Sequence, residues 1–524
     1  MSGIGMASIS LFGGNMLWPI KQSVRPEIAR FSTSIKFLSL KFFLLLSLSG
    51  NGQLTFKERI EIPLVKGATD YEVLPCSTAG LILYRGRDGV SPALELIHLD
   101  TAFQQKWSGS ITVDPKYELS KQAVIKGNVY FLFTNKTFAD IHFQMIEVNL
   151  ASGNFSRYTI RNYIPFRVTE FEVTPAGTLV GGYFGGRIPV VLFFDFKTLK
   201  SKILPGLFNE QGELVQMESE ASGEFSVLIN AKNMLRQRTL WIKRYTATGD
   251  LLQNEILKPE ENSSLLFGRA LTLGDDQLIA GVYGQRNSEY SRGIFLAQLN
   301  GDETSSPLYF PFADLENFFK FMRAKRELRV KERIQRKKIK GKKIRFQYRF
   351  LVHEFVEYNN EYILLGEAFY PKYRSVDRGV YGIGSTQSSM IFDGYQYTHA
   401  VILGFNKQGK LLWDNSFEIN DVKTFTIEQF VKMDLQDDKI VLLYLFDNKI
   451  RSKIIQDNRV LEGKSFSNLG TGLETTAPLE DQKVARLEYW YNGHFLASGV
   501  QYLGRNTPGR QARQIFFVNK IRFE

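Results

Sequence analysis

One motif returns eight times along this chain: a turn residue followed at once by a strong apolar run. The runs begin at Gly80 (GLILY), Gly127 (GNVYFLF), Gly177 (GTLVGGYF), Gly223 (GEFSVLI), Asp276 (DQLIAGVY), Asn360 (NEYILLGEAF), Asp438 (DKIVLLYLF) and Gly493 (GHFLASGVQY). Their spacings are 47, 50, 46, 53, 84, 78 and 55 residues. Between them, from residue 54 onward, apolar positions alternate in short stretches broken by Gly, Asn and Asp, the signature of half-buried strands. A unit this short cannot bury its own apolar faces and must stack on its like. An all-β repeat architecture over residues 53–524 follows.

The second half of each unit is also regular: IHLDTAFQQKW, IEVNLASGNFSRY, FFDFKTLKSKI, IKRYTATGDLLQNEI and ILGFNKQGKLLWDNSFEI. These hairpins, with Trp107 and Trp413 after the turn, resemble those of quinoprotein-like and WD-type propellers. In overall style the chain also resembles secreted propeller proteins of Bacteroidetes-type genomes. Periods near 45 to 50 residues with several strands each predict a single β-propeller of seven or eight four-stranded blades, the strong runs forming the inner strands. Both chain ends are strand-like, QLTFKERIEIPL and QIFFVNKIRFE, so the N-terminal strand is expected to complete the last blade. The alternative is two β-domains divided near residue 315, a boundary that no Pro, Ser or Gly linker marks.

The formal charge of +12 is unevenly placed. Residues 1–52 carry a net +4 and residues 320–349 a net +13, leaving a mildly acidic body at −5. Binding of nucleic acid by the protein as a whole is therefore not expected. In the first segment Lys36 and Lys41 precede the apolar run Phe42–Leu48, which passes into Ser49, Gly50 and Gly52. That order predicts a signal peptide over 1–52, cleaved before Gln53, with Met6 or Met16 as alternative starts. An uncleaved anchor is the other reading. An exported protein follows: periplasmic, outer-membrane-associated or secreted.

Residues 314–349 form the first insertion. Asp314, Leu315, Phe318, Phe319 and Met322 fit one helical face with an acidic first turn. A basic arm follows through Arg323, Lys325, Arg326, Arg329, Arg333, Arg336, Lys337 and Lys338. A helix projecting from the ring is expected, with an envelope protein, an acidic polysaccharide or a membrane surface (through residues 320–345) as its partner. A solvated charge run is the plainer account. The second insertion, 370–398, is rich in Tyr and Gly, including Tyr373, Tyr381 and Tyr395, and reads as an adaptable loop for binding or for packing over the ring mouth.

The loop after the strong run repeats its chemistry: Tyr84 with Arg87, Tyr183 with Arg187, Tyr283 with Arg286, and Arg505 in the last unit. Equivalent loops of successive blades open on one face, which would gather an arginine and tyrosine rim suited to acidic glycan or peptide. Solvent-facing arginines, or pairs with Asp88 and Glu289, are the alternative. One cysteine, Cys76, and five histidines exclude a Cys-based zinc site and argue against any metal or other cofactor. For acid–base work only Glu367, Asp377, Asp393 and His399 cluster in sequence around the Tyr-rich segment. The expected function is a binding or scaffold protein at the cell envelope, with a glycan-active hydrolase or lyase as the alternative.

Overall fold

A computed structural model describes residues 54–65, 69–87, 92–137, 141–207, 211–273, 276–300, 303–304, 306–342, 344–377, 388–469, 482–503 and 513–523. The expected signal peptide, Tyr381 and Arg505 lie outside the described residues, as does the Asp377 side chain.

Eight antiparallel sheets follow one another along the chain. Blade 1 spans 72–112, blade 2 117–160, blade 3 167–203, blade 4 212–257, blade 5 263–311, blade 6 349–424 and blade 7 432–468. Blade 8 takes three strands from 482–523 and its fourth from the other end of the chain. There Leu54–Leu64 pairs antiparallel with Arg513–Phe523, in register from Leu54↔Phe523 to Leu64↔Gln514. The count is eight, and the N-terminal strand closes the last blade as its sequence predicts.

Eight apolar clusters hold the ring together, one at each junction between neighbours. Side-chain alternation explains how one strand serves two of them. In blade 1, Leu81 and Leu83 face blade 8, whereas Ile82 and Tyr84 face blade 2. In blade 7, Val441 and Leu443 turn toward blade 8, and Leu442 and Tyr444 toward blade 6. The junction that shuts the circle is further pinned by Trp490, whose Nε1 donates to the Gly80 carbonyl at 2.8 Å.

The strong runs are each blade's second strand, not its innermost. The second strand is flanked within its sheet and covered on both faces, so it reads as nearly continuous apolar sequence. The first strand is weaker in sequence because it borders the axis: first strands of successive blades touch, and polar side chains join them. Ala270 N donates to Gln216 Oε1 at 2.8 Å, and Ser219 Oγ to Glu172 Oε1 at 3.0 Å. In blades 2 to 6 this strand also slips register once against its neighbour, at Leu119/Lys121, Val168/Glu170, Leu214/Gln216, Leu265/Phe267 and Val352/Glu354. Such bulges re-aim the side chains beyond them.

Both insertions differ from their sequence reading. Residues 314–322 are turns, and the helix α1 runs only over Ala324–Ile339. Phe312, Phe318 and Phe319 are buried between blades 5 and 6, and α1 lies back on the ring instead of projecting. Ile334 is 5% exposed within the same cluster, Lys331 Nζ donates to the Glu316 carbonyl at 3.1 Å, and Lys338 pairs with Asp314. The periodic phenylalanines fit a helix by spacing, yet burying three rings in one wedge favours turns that aim them together. Of the Tyr-rich segment, residues 378–387 lie outside the described residues, and its two flanks are strand. They lengthen two strands of blade 6, Glu361–Asp377 and Ser388–Phe405, paired from Tyr362↔Phe405 to Asp377↔Ser388.

Candidate functional site

Within each antiparallel blade, the turn between second and third strands and the connection to the next blade emerge at the same end of the strands. The rim residues read from sequence gather at this end, but the tyrosines and arginines divide in role. Tyr84 is 2% exposed; its hydroxyl donates to Glu72 Oε2 at 2.7 Å and its ring meets Phe131 of blade 2 edge-on. Tyr183 accepts from Leu214 N at 2.8 Å, tying blade 3 to blade 4, and burial raises its pKa. Tyr283 is buried against Tyr309. These three are clamps between strands and blades. Among the arginines, Arg87 lies 3.3 Å from Glu95, which Arg85 also holds at 2.7 Å, and Arg286 is half-buried. Glu289 pairs with Arg349 and not with Arg286. Arg187 is exposed and has no side-chain partner among the described residues.

Arg187 opens onto a cleft of about 910 Å³ between blades 3 and 4. Gly186 and Arg187 come from the blade 3 turn, Gln211 from the connection, and Glu213, Lys232, Met234, Arg238 and Trp241 from blade 4. Trp241 is half-buried, its Nε1 donating to Thr239 Oγ1 at 3.1 Å, and Tyr183 lines the wall beside it. Arg238 is held by Glu213 at 3.0 Å, whereas Lys232, like Arg187, carries no ion pair among the described residues. The cleft thus offers two uncommitted cations and an aromatic face, with the exposed Gln211 amide alongside. Sequence reading found Tyr183 and Arg187 but missed Lys232, Arg238 and Trp241, which come from the far side of the next hairpin.

The acid–base candidates do not converge. Glu367 and His399 sit on adjacent strands but face opposite sides of the sheet. Glu367 is fully buried toward blade 7, accepting from Phe430 N at 3.0 Å and Val431 N at 2.6 Å, with His353 Nε2 3.2 Å away. It bridges two blades. His399, also fully buried, faces the blade 5 side, stacked 3.8 Å from Phe321 with Phe318 edge-on. Burial in that aromatic cage pushes its pKa down to about 3. Asp393 lies 3.2 Å from Lys423 Nζ.

A different titratable group lies on the first strands. Burial pushes the Glu218 carboxyl up to about 7, reinforced by the negative charges of Glu220 and Glu172 and opposed by Arg269. Glu172 is raised too, again by burial, with Ser219 donating to it. Arg269, from blade 5, interacts with both Glu170 and Glu218, so three blades meet there. The signal was visible as acids two apart before two of the strong runs, Glu170 and Glu172 in blade 3 and Glu218 and Glu220 in blade 4. Among the described residues no group of His, Cys, Asp and Glu could hold a metal ion, and no helix is long and apolar enough to cross a membrane.

No family model matches the chain, and no curated protein does. Among solved structures it is similar to the polysaccharide lyase Uly1, at 9% identity, covering 77% of this chain and 89% of that one, with a TM-score of 0.41. The WD40 domain of SCAP from fission yeast is similar at 7% identity, covering 89% of this chain and 98% of that one, with a TM-score of 0.39. A third is the β-propeller domain of the Trilobed protease from Pyrococcus furiosus, at 9% identity, covering 76% and 93%, with a TM-score of 0.34. The eight-bladed architecture rests on the strand pairing and the blade junctions themselves.

Proposed function

We propose that the protein is a binding module of the cell envelope that takes an anionic oligosaccharide in the cleft between blades 3 and 4. The observation that carries this reading is the pairing of two uncommitted cations, Arg187 and Lys232, with the Trp241 and Tyr183 rings in an open cleft. A guanidinium forks onto carboxylate or sulfate, and an aromatic face covers the apolar side of a sugar ring. The exposed Gln211 amide at the edge of the cleft suits hydroxyl groups. Export is part of the proposal, since acidic polysaccharides are met outside the cytoplasm.

Binding to an array of uronate, sulfated and neutral oligosaccharides tests it. Selective retention of anionic members is expected, weakened on the order of tenfold by Arg187→Ala or Trp241→Ala. Equal binding by both variants would retire the cleft.

A second reading, glycan cleavage, draws on Glu218. A carboxyl near neutrality beside a second carboxyl and an arginine has the chemistry of a general acid or base. Release of new reducing ends from an anionic polysaccharide, abolished by Glu218→Gln, would favour it over pure binding.

A further inference from the structure

The blade 6 hairpin exceeds its counterparts. Second strands elsewhere run 7 to 10 residues, as in Leu81–Arg87 and Asp276–Gln285, against 17 and 18 for the two strands here. The surplus of about eight residues extends the ladder by roughly 25 Å at a strand's rise per residue. Nothing in ring closure requires it, because the blade 5–6 and 6–7 clusters end at Phe369, Tyr397 and their neighbours.

The side chains on this extension are apolar and uncovered. Met390 is 65% exposed, Ile391 42%, Tyr373 51% and Phe392 37%, and Phe425 from the neighbouring connection, at 66%, packs edge-on to Phe392. An apolar finger in water costs free energy unless something covers it. The charges around it indicate what. Lys372 and Arg374 alternate with the tyrosine on the same strand and are exposed. At the base, Tyr348 lies within electrostatic reach of both Tyr370 and Arg326, and Phe321, just before α1, stacks on His399 of the hairpin's second strand. The basic helix therefore begins beside the base of the finger, with Arg323, Lys325, Arg326, Arg329 and Arg333 exposed. Of the acids around it, Asp393 is taken by Lys423, Glu428 accepts from Thr424 and Glu327 of α1 pairs with Lys331, which leaves Glu332 against the helix cations.

We infer that the lengthened strands of blade 6, through Tyr373, Met390, Ile391 and Phe392, and α1 form a lipid-docking face, these apolar side chains entering the interface of an anionic bilayer while the helix cations meet its headgroups. A second protein's apolar patch would cover the finger but leave the row of cations without a role. An anionic lipid surface satisfies both, with apolar burial and headgroup attraction adding.

The full chain is sedimented with vesicles of phosphatidylcholine alone or with about 30% phosphatidylglycerol at about 0.1 M salt. Retention by the anionic vesicles is expected, with at least about tenfold weaker partition onto neutral ones. The double substitution Ile391→Glu with Phe392→Glu should lower partition at least about tenfold at an unchanged melting temperature, since both side chains are exposed. A Met390→Trp variant should show a blue-shifted emission on binding. Failure of the wild type to sediment, unaltered partition of the double variant, or an unshifted emission from the Met390→Trp variant each overturns the inference. So does self-association of the protein that the same double substitution abolishes, which would make a second copy the occupant. Glycan binding in the cleft is unaffected by any of these outcomes.

Discussion

Glu218 makes a pH-dependent stability prediction whose sign is opposite to that of most carboxylates. Its folded pKa stands at about 7 against an ordinary 4.5, because burial and the neighbouring Glu220 and Glu172 disfavour the anion more than Arg269 favours it. Between those two values the folded protein holds a proton that the unfolded chain releases, so stability falls as pH rises across that window. At about 1.4 kcal/mol per pH unit the resulting penalty amounts to about 3 kcal/mol, absent below pH 4.5 and fully present above pH 7. Glu218→Gln keeps the volume and the nearby Gln216 amide but removes the ionisation. The variant should match the wild type near pH 4.5 and exceed it by up to about 3 kcal/mol at pH 8. Paired thermal or urea unfolding of both proteins at the two pH values reads the difference directly. A stability difference that is the same at both values refutes the reasoning, because a packing effect would not track the titration.

Three further outcomes are expected. Glu367→Ala should cost about 3–5 kcal/mol by urea unfolding, since it strands the Phe430 and Val431 amides in a buried junction, while Glu367→Gln, which still accepts from them, costs clearly less. His399 titrates in the other direction: its folded pKa is depressed to about 3, so the stability it contributes above pH 6.5 is lost as pH falls toward 3, and His399→Phe should flatten the acid side of the melting-temperature profile. Deleting residues 54–64 leaves Arg513–Phe523 as a bare edge and should lower the melting temperature and promote aggregation, measured by light scattering during the melt.

The ring was legible in the sequence because the second strand of each blade, such as Lys439–Phe446, is enclosed on every side and must be apolar throughout. The first strands were not, since they border the axis and mix Glu170, Gln216 and Arg269 with apolar positions; Glu218 went unnoticed there. Tyrosine was ambiguous. Tyr84 and Tyr183 stand just before a glycine-bearing turn as a rim residue would, yet their hydroxyls are spent on Glu72 and Leu214. In blade 6 the abundance of Tyr and Gly suggested a loop, although Tyr favours strands and the pairing continues through two register breaks, at Ala368/Phe369 and Pro371/Tyr373. Glu367 and His399 are close in sequence register but separated by the parity of a strand, a distinction that spacing reveals only once the pairing is known.

The partnership of Leu54–Leu64 with Arg513–Phe523 also sets a timetable. Seven sheets are each built from a local stretch of chain and can condense early, whereas the eighth joins segments more than four hundred positions apart. Leu54–Leu64 must stay unpaired until Arg513–Phe523 is in place, so a slow final step governed by loop closure is built into the chain order. During that wait the open arc presents the edge of its unfinished sheet, and a chaperone that shields extended strands would find its substrate there.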